Sequence, residues 1–258
     1  MSDGQPLRLA VWKLASCDGC QLALLDCEDE LLTLASRVEI APFAEVTSRT
    51  DDGPWDLSLV EGSVSTPADA ERVRRIRAGS RVLVTIGACA TAGGIQALRN
   101  FADVDAFRRA VYASPETVEA LARSSPVSDH VPVDYELHGC PVDRGQLLRV
   151  IADVLAGNRP HLSGASVCEE CKRAGNVCVL VAHGTPCLGP VTRGGCGALC
   201  PSCARGCYGC FGPADTTNAP ALSARLEALG MSRPAVLRFY RSFNAAAPPF
   251  ADESIRHE

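Results

Sequence analysis

The chain reads as an α/β protein, a doubly wound parallel sheet followed by a loop-rich, cysteine-dense second domain. Three observations carry that reading. Residues 7–155 alternate short apolar runs with longer helix-like stretches, the pattern of parallel strands covered by helices. Past Asn158 the texture changes: glycine, proline and nine cysteines crowd residues 168–210. The length of 258 residues and the 47% hydrophobic content suffice for one ordinary core plus a smaller unit. The expected division is therefore 1–158 and 159–258.

Residues 7–14, 38–43, 57–60, 82–86 and 131–137 read as strands. Residues 21–35, 67–78 and 142–156 read as helices, and 94–123 as a broken helical region. Pro67 suits a helix first turn and Gly157 a helix end. Residues 168–210 hold few core-forming side chains, so this segment needs metal staples to keep one shape. Residues 219–230 add one short helix, and the rest reads as an extended tail that docks on something.

The net charge of -5 supplies no basic field for phosphate backbones or anionic lipid, which argues against nucleic acid and membrane surfaces as partners. Residues 1–14 lack a charged-then-apolar leader pattern, and no apolar run approaches the roughly 18 residues of a membrane span. The expectation is a cytoplasmic protein. Fourteen cysteines there point to metal ligation, because the cytosol keeps thiols reduced and disulfides are rare in it.

Cys17 and Cys20 follow the first strand, Cys89 the fourth and Cys140 the fifth. Loops after the strands of an open parallel sheet share its carboxyl edge, so these four sulfurs are expected to meet as a Cys₄ site. Gly19, Gly87, Gly93, Gly94 and Gly139 let backbone approach an anionic inorganic cluster, and Pro141 fixes the turn leaving Cys140. The second set is Cys168, Cys171, Cys178, Cys187, Cys196, Cys200, Cys203, Cys207 and Cys210, one more thiol than two Cys₄ clusters require. Paired C-x-x-C knuckles also build structural zinc sites, which leaves a zinc-stapled interaction protein as an alternative. Dense thiols beside glycine and proline, as in Cys200-Pro201 and Cys210-Phe211-Gly212-Pro213, favour iron-sulfur.

The residues then resemble a known family, the small subunit of nickel-iron hydrogenases. Ser16-Cys17-Asp18-Gly19-Cys20-Gln21-Leu22, Val60-Glu61-Gly62-Ser63-Val64, Gly87-Ala88-Cys89-Ala90 and His138-Gly139-Cys140-Pro141 look, in order, like its proximal-cluster framework. The 26–32 stretch, Gly93-Gly94-Ile95 and Cys207-Tyr208-Gly209-Cys210-Phe211-Gly212-Pro213 look most like the cytoplasmic sulfhydrogenase-type (group 3b-like) delta subunits. The resemblance implies a flavodoxin-like first domain, a cluster-binding second domain and three 4Fe-4S clusters. Cys17, Cys20, Cys89 and Cys140 would hold the proximal cluster. Cys168, Cys171, Cys178 and Cys187 would hold the distal one, and Cys196, Cys200, Cys207 and Cys210 the medial one. Cys203 could replace Cys200 or Cys207, and Cys27 reads as buried packing.

The implied partners are a large subunit holding the nickel-iron centre and flavin and iron-sulfur diaphorase subunits linked to NAD(P). No catalytic residue is then expected on this chain. Glu61 follows the third strand, where a role in proton passage and a plain loop carboxylate are equally open. A complex I-type cluster subunit shares the fold, but it resembles a tandem Cys-Cys where Asp18 and Gly19 intervene here. The sequence holds no G-x-G-x-x-G, Walker-type loop or H-E-x-x-H.

Overall fold

The computed structural model describes residues 6–35, 38–48 and 50–258. Among these residues five strands form one sheet: β1 (Leu7–Lys13), β2 (Val38–Phe43), β3 (Trp55–Glu61), β4 (Ser80–Ile86) and β5 (Tyr135–Leu137). They pair in the order β2-β1-β3-β4-β5, every pair parallel. The direction of winding reverses between β1 and β3, so a crevice opens there beyond the carboxyl ends. The register levels that edge: Lys13 pairs with Glu61, Glu61 with Ile86, and Ile86 with Leu137.

Six helices accompany the strands: α1 (Gly19–Leu25), α2 (Glu28–Ala35), α3 (Pro67–Gly79), α4 (Gly87–Ala92), α5 (Val104–Val111) and α6 (Arg144–Leu155). Leu57, Leu59, Val84 and Ile86 pack on α1 and on Leu147, Val150, Ile151 and Val154 of α6. The opposite face buries Val60 and Leu83 against Val73 and Ile76 of α3. Both faces are thus covered, the arrangement a parallel sheet requires. Helix α3 starts on a capping box in which the Thr66 hydroxyl accepts from Asp69 N at 3.1 Å and the Asp69 carboxylate accepts from Thr66 N at 2.9 Å.

The helix expected over 21–35 is two helices. Cys27 is buried between them and its thiol donates to Ala23 O, while Glu28, Asp29 and Glu30 start a new first turn where negative charge is favoured. The fifth strand is shorter than 131–137 and begins at Tyr135. Pro132 has no N–H for the ladder, and the Asp134 carboxylate instead accepts from Leu83 N at 2.8 Å. Helix α4 reads as loop in the sequence because its residues are small and follow Gly87, whose φ is +86°.

Beyond Asn158 three short helices carry cysteines, α7 (Val167–Arg173), α8 (Val179–Ala182) and α9 (Leu199–Ser202). The expected helix over 219–230 is α10 (Ala219–Ala228). The tail is helical, not extended, with α11 (Arg233–Tyr240) and α12 (Pro248–Ile255). Pro234 and Pro248 stand in the first turns of these helices, where proline is tolerated, though in a sequence they look like breakers. The helices enclose a separate apolar cluster around Leu188, Leu226, Val236, Tyr240 and Phe250.

Tyr240 is the largest fully buried side chain, edge-on to Phe250 at 5.6 Å between ring centroids, and its hydroxyl donates to Ala219 O at 3.1 Å. Tyr240→Ala should cost about 3–5 kcal/mol in the urea unfolding of this part of the chain. Tyr240→Phe, which keeps the ring and loses the hydrogen bond, should cost about 1 kcal/mol.

Candidate metal centre

The level carboxyl edge places the turn after β1 (Cys17, Cys20), the turn after β4 (Cys89) and the turn after β5 (Cys140) side by side. Glu61, the last residue of β3, is buried among them and pins the first turn of α1: its carboxylate accepts from Cys20 N at 3.0 Å and from Gln21 Nε2 at 2.7 Å. Burial raises the Glu61 carboxyl, and those two donors oppose the shift. Gln96 ties the remaining turns, donating to Ala15 O at 2.8 Å and accepting from the Cys89 thiol at 3.5 Å. Ala88 N donates to Gly139 O at 2.7 Å, locking the turn after β4 to the turn after β5.

Two glycines make room for sulfur. A Cβ at Gly87 would stand 2.4 Å from Cys20 Sγ, and one at Gly94 would stand 2.5 Å from Cys89 Sγ. The four thiols share one electrostatic neighbourhood. Burial first, then the Glu61 charge, drives the Cys20 thiol far up, with Cys140 and Cys89 adding to it. Burial and then Cys140 push Cys89 up to about 11, and burial followed by Cys17 raises Cys140.

In the second cysteine set, Cys168, Cys171, Cys178 and Cys187 together line a cavity of about 110 Å³ walled by Val179, Leu180 and Pro201. Cys187 is buried and its sulfur accepts from Cys207 N at 3.1 Å and Gly189 N at 3.4 Å. The Cys207 sulfur accepts from Gly209 N at 3.4 Å. Burial pushes the Cys207 thiol up to about 12, against the pull of the Gly209 amide and the Thr192 side chain, with Cys187 and Cys210 adding to the rise. Cys210 is also pushed up to about 12, by burial and then by Cys196, Cys200 and Cys140. Cys200 lies in the field of Cys196, Cys203 and Cys187.

The expected sets of four are therefore neighbours, with Cys187 and Cys207 in contact across the line between the two sets of the second lobe. Cys203 is exposed beside Cys200, and Cys27 is buried away from the other thiols. The sequence gives no sign of Gln96, and it hides Glu170 inside the Cys168–Cys171 knuckle, although its carboxylate accepts from Gly195 N at 2.7 Å and Ala198 N at 3.1 Å.

These residues fit a polynuclear group. At the first set glycines clear the sulfurs of Cys20 and Cys89, and in the second lobe thiols face a cavity and backbone N–H groups donate to the sulfurs of Cys187 and Cys207, features that suit iron-sulfur ligation. Burial raises the thiols of Cys20, Cys89, Cys140, Cys168, Cys207 and Cys210, and a positively charged metal core is the partner that stabilises such groups as thiolates.

A doubly wound parallel sheet with four thiols at its carboxyl edge, continued by a lobe with nine more, defines a class of cysteine-rich redox subunit. A profile of the family described as NADH ubiquinone oxidoreductase, 20 Kd subunit, matches residues 17–154. The sulfhydrogenase 2 subunit delta of Pyrococcus furiosus is 41% identical over 216 residues, 84% of this chain and 90% of that protein. A solved NAD+-reducing [NiFe]-hydrogenase in the H2-reduced state contains a chain with TM-score 0.58 and 32% identity, covering 61% of this chain and 96% of that one. The recombinant [NiFeSe] hydrogenase of Desulfovibrio vulgaris Hildenborough shares the fold, with TM-score 0.54 at 16% identity over 82% of this chain and 95% of that one. The chain belongs to the 20 Kd subunit family, on its nickel-iron hydrogenase small-subunit side.

The raised thiols set a pH dependence for protein stripped of metal. Cys89 and Cys168 stand at about 11 and Cys207 and Cys210 at about 12. A thiol in the unfolded chain ionises near about 8.5, so above that pH the folded state binds more protons and stability falls as pH rises. Chelator-treated chain, unfolded in urea under anaerobic conditions, should lose midpoint steadily from about pH 8.5 upward and change little between about pH 7 and 8.5. Metal-loaded chain should lack this slope.

Proposed function

We propose that the chain is the electron-transfer small subunit of a cytoplasmic nickel-iron hydrogenase. It would carry three 4Fe-4S clusters between the hydrogen-converting site of a large subunit and an NAD(P)-linked diaphorase module. The observation that carries this reading is the unbroken succession of thiols. Cys140, which shares one field with Cys17, Cys20 and Cys89, also lies in the field of Cys210; Cys210 lies in that of Cys196 and Cys200; Cys200 reaches Cys187 and Cys196 reaches Cys171, at the cavity shared with Cys168 and Cys178. On this reading residues 1–158 hold the proximal cluster and 159–258 the medial and distal ones. The ligands are Cys17, Cys20, Cys89 and Cys140; Cys196, Cys200, Cys207 and Cys210; and Cys168, Cys171, Cys178 and Cys187. Cys200 is preferred to Cys203 because it is less exposed and faces two thiol sets.

When bound, each cluster supplies a centre that accepts and gives up one electron at a time. The chain's own residues do the rest. Glu61 and Gln96 hold the turns of the first set, and buried walls exclude water. The amides of Gly189, Cys207 and Gly209 donate to sulfur, which stabilises reduced, more negative states. The hydrogen-linked activity is supported by the name of the 41% identical sulfhydrogenase subunit, and the NAD link by the NAD+-reducing hydrogenase. The NAD-reducing hydrogenase HoxS subunit delta of Cupriavidus necator, 25% identical over 58% of this chain, supports the same link. Among the described residues no helix is long and apolar enough to cross a membrane.

Anaerobic purification of the native assembly tests the reading. The expected product is brown, holds roughly twelve irons per copy of this chain, includes a nickel-bearing large chain and reduces NAD(P) with dihydrogen. Colourless, zinc-rich protein, or an assembly without nickel and without hydrogen activity, would contradict it. Gly87→Ala forces a methyl into the place of Cys20 Sγ. That variant should lose about a third of the iron, one cluster of three, while the signals of the other two clusters persist.

A further inference from the structure

We propose that Glu170 is a positioning residue that couples the two cysteine sets of the second lobe. It holds the loop bearing Cys196 against the helix bearing Cys168 and Cys171, and it keeps both centres at low potential. The inference rests on reading those sets as redox centres.

Helix α7 carries two glutamates between its cysteines, and they behave differently. Glu169 faces solvent and pairs with Arg173 at 3.1 Å, an exposed i,i+4 contact. Glu170 turns inward, and its two oxygens accept separate backbone donors, Gly195 N at 2.7 Å and Ala198 N at 3.1 Å. Those amides flank Cys196, one residue before it and two after.

The clamped loop holds an uncommon backbone. Gly195 has φ +142°, Gly197 +64°, and Ala198, fully buried and not a glycine, has +56°. A left-handed alanine persists only where its surroundings over-determine it. Glu170 supplies one wall, since a Cβ on Gly194 would stand 3.0 Å from its carboxyl carbon. Gln146 and Phe211 supply the other, at 2.3 Å and 2.8 Å from a Cβ placed on Gly195. The Cys196 loop is therefore held in a slot, and one face of that slot is the helix that bears the other set. The two sets are near enough that the Cys171 thiol lies in the field of Cys196.

The carboxylate acts on the centres in two ways of the same sign. Its negative charge opposes addition of an electron to either side. It also occupies two amides beside Cys196 that are then unable to donate to sulfur. Charge near a cluster and N–H···S donation are the protein's main levers on potential, and here both act to lower it.

The test is Glu170→Gln in the full chain within its native assembly. Glutamine keeps the volume but loses the charge and offers one acceptor oxygen for two amides. The expected result is wild-type iron content, an upward shift of two midpoint potentials in an EPR-monitored redox titration, and an unshifted third. Hydrogen exchange of the 193–199 segment should quicken. Unchanged potentials would overturn the proposal, whether or not exchange quickened. So would loss of iron with the remaining centres unshifted, which marks a merely structural clamp. Wild-type chain without iron would instead sink the redox reading on which the proposal stands.

Discussion

The parallel register of the sheet is the constraint on which the rest of the molecule depends. Lys13, Glu61, Ile86 and Leu137 stand level at the carboxyl edge, so three cysteine-bearing turns and one carboxylate leave the sheet at one height. A shift of one residue in any of these pairings would turn its strand over and carry its turn away from the others. Sulfurs separated by as many as 123 positions in the chain meet because hydrogen bonds between strands fix where each strand ends.

Burial then sets the chemistry. Thiols held among apolar walls resist ionisation, and most of the cysteines in these sets are driven upward by desolvation before any charge is considered. The thiolate form of such a site is costly without a positive partner, so ionisation of the second lobe's thiols and filling of its sites are linked. The lobe has its own apolar cluster, supplied jointly by the three C-terminal helices and by side chains of the cysteine-bearing segment such as Val179, Leu180, Leu188 and Val191. Phe211 connects the lobes: a Cβ on Gly139, beside Cys140, would stand 3.0 Å from its ring, and Cys210 is its neighbour in the chain. The succession of thiols from one lobe to the other passes through this contact.

Much of this was legible in the residues. The strands announced themselves as apolar runs, and their order made the post-strand cysteines convergent. The family motifs around Cys17, Cys89 and Cys140 lie on the turns where the structure has them. What escaped had physical causes. Helix α4 is built of small residues that carry no amphipathic signal. The tail hid two helices behind prolines that mark first turns as readily as breaks. The break at Cys27 comes from one buried side chain and an acidic first turn, Glu28 to Glu30, whose charges also suit the middle of a single surface helix. Gln96 and Glu170 act through backbone partners distant in sequence, Ala15 for one and Gly195 with Ala198 for the other. Single-sequence patterns do not register such contacts.

The proposed function stands on the thiols surrounding three separate polynuclear iron groups. Anomalous diffraction from anaerobic crystals, recorded on both sides of the iron edge, measures this directly. The account predicts three compact iron peaks. One lies within the ring of Cys17, Cys20, Cys89 and Cys140, one beside Cys210 and Cys200, and one in the cavity lined by Cys168, Cys171 and Cys178. Absence of iron from these positions, or single-ion peaks appearing at the zinc edge, would contradict it.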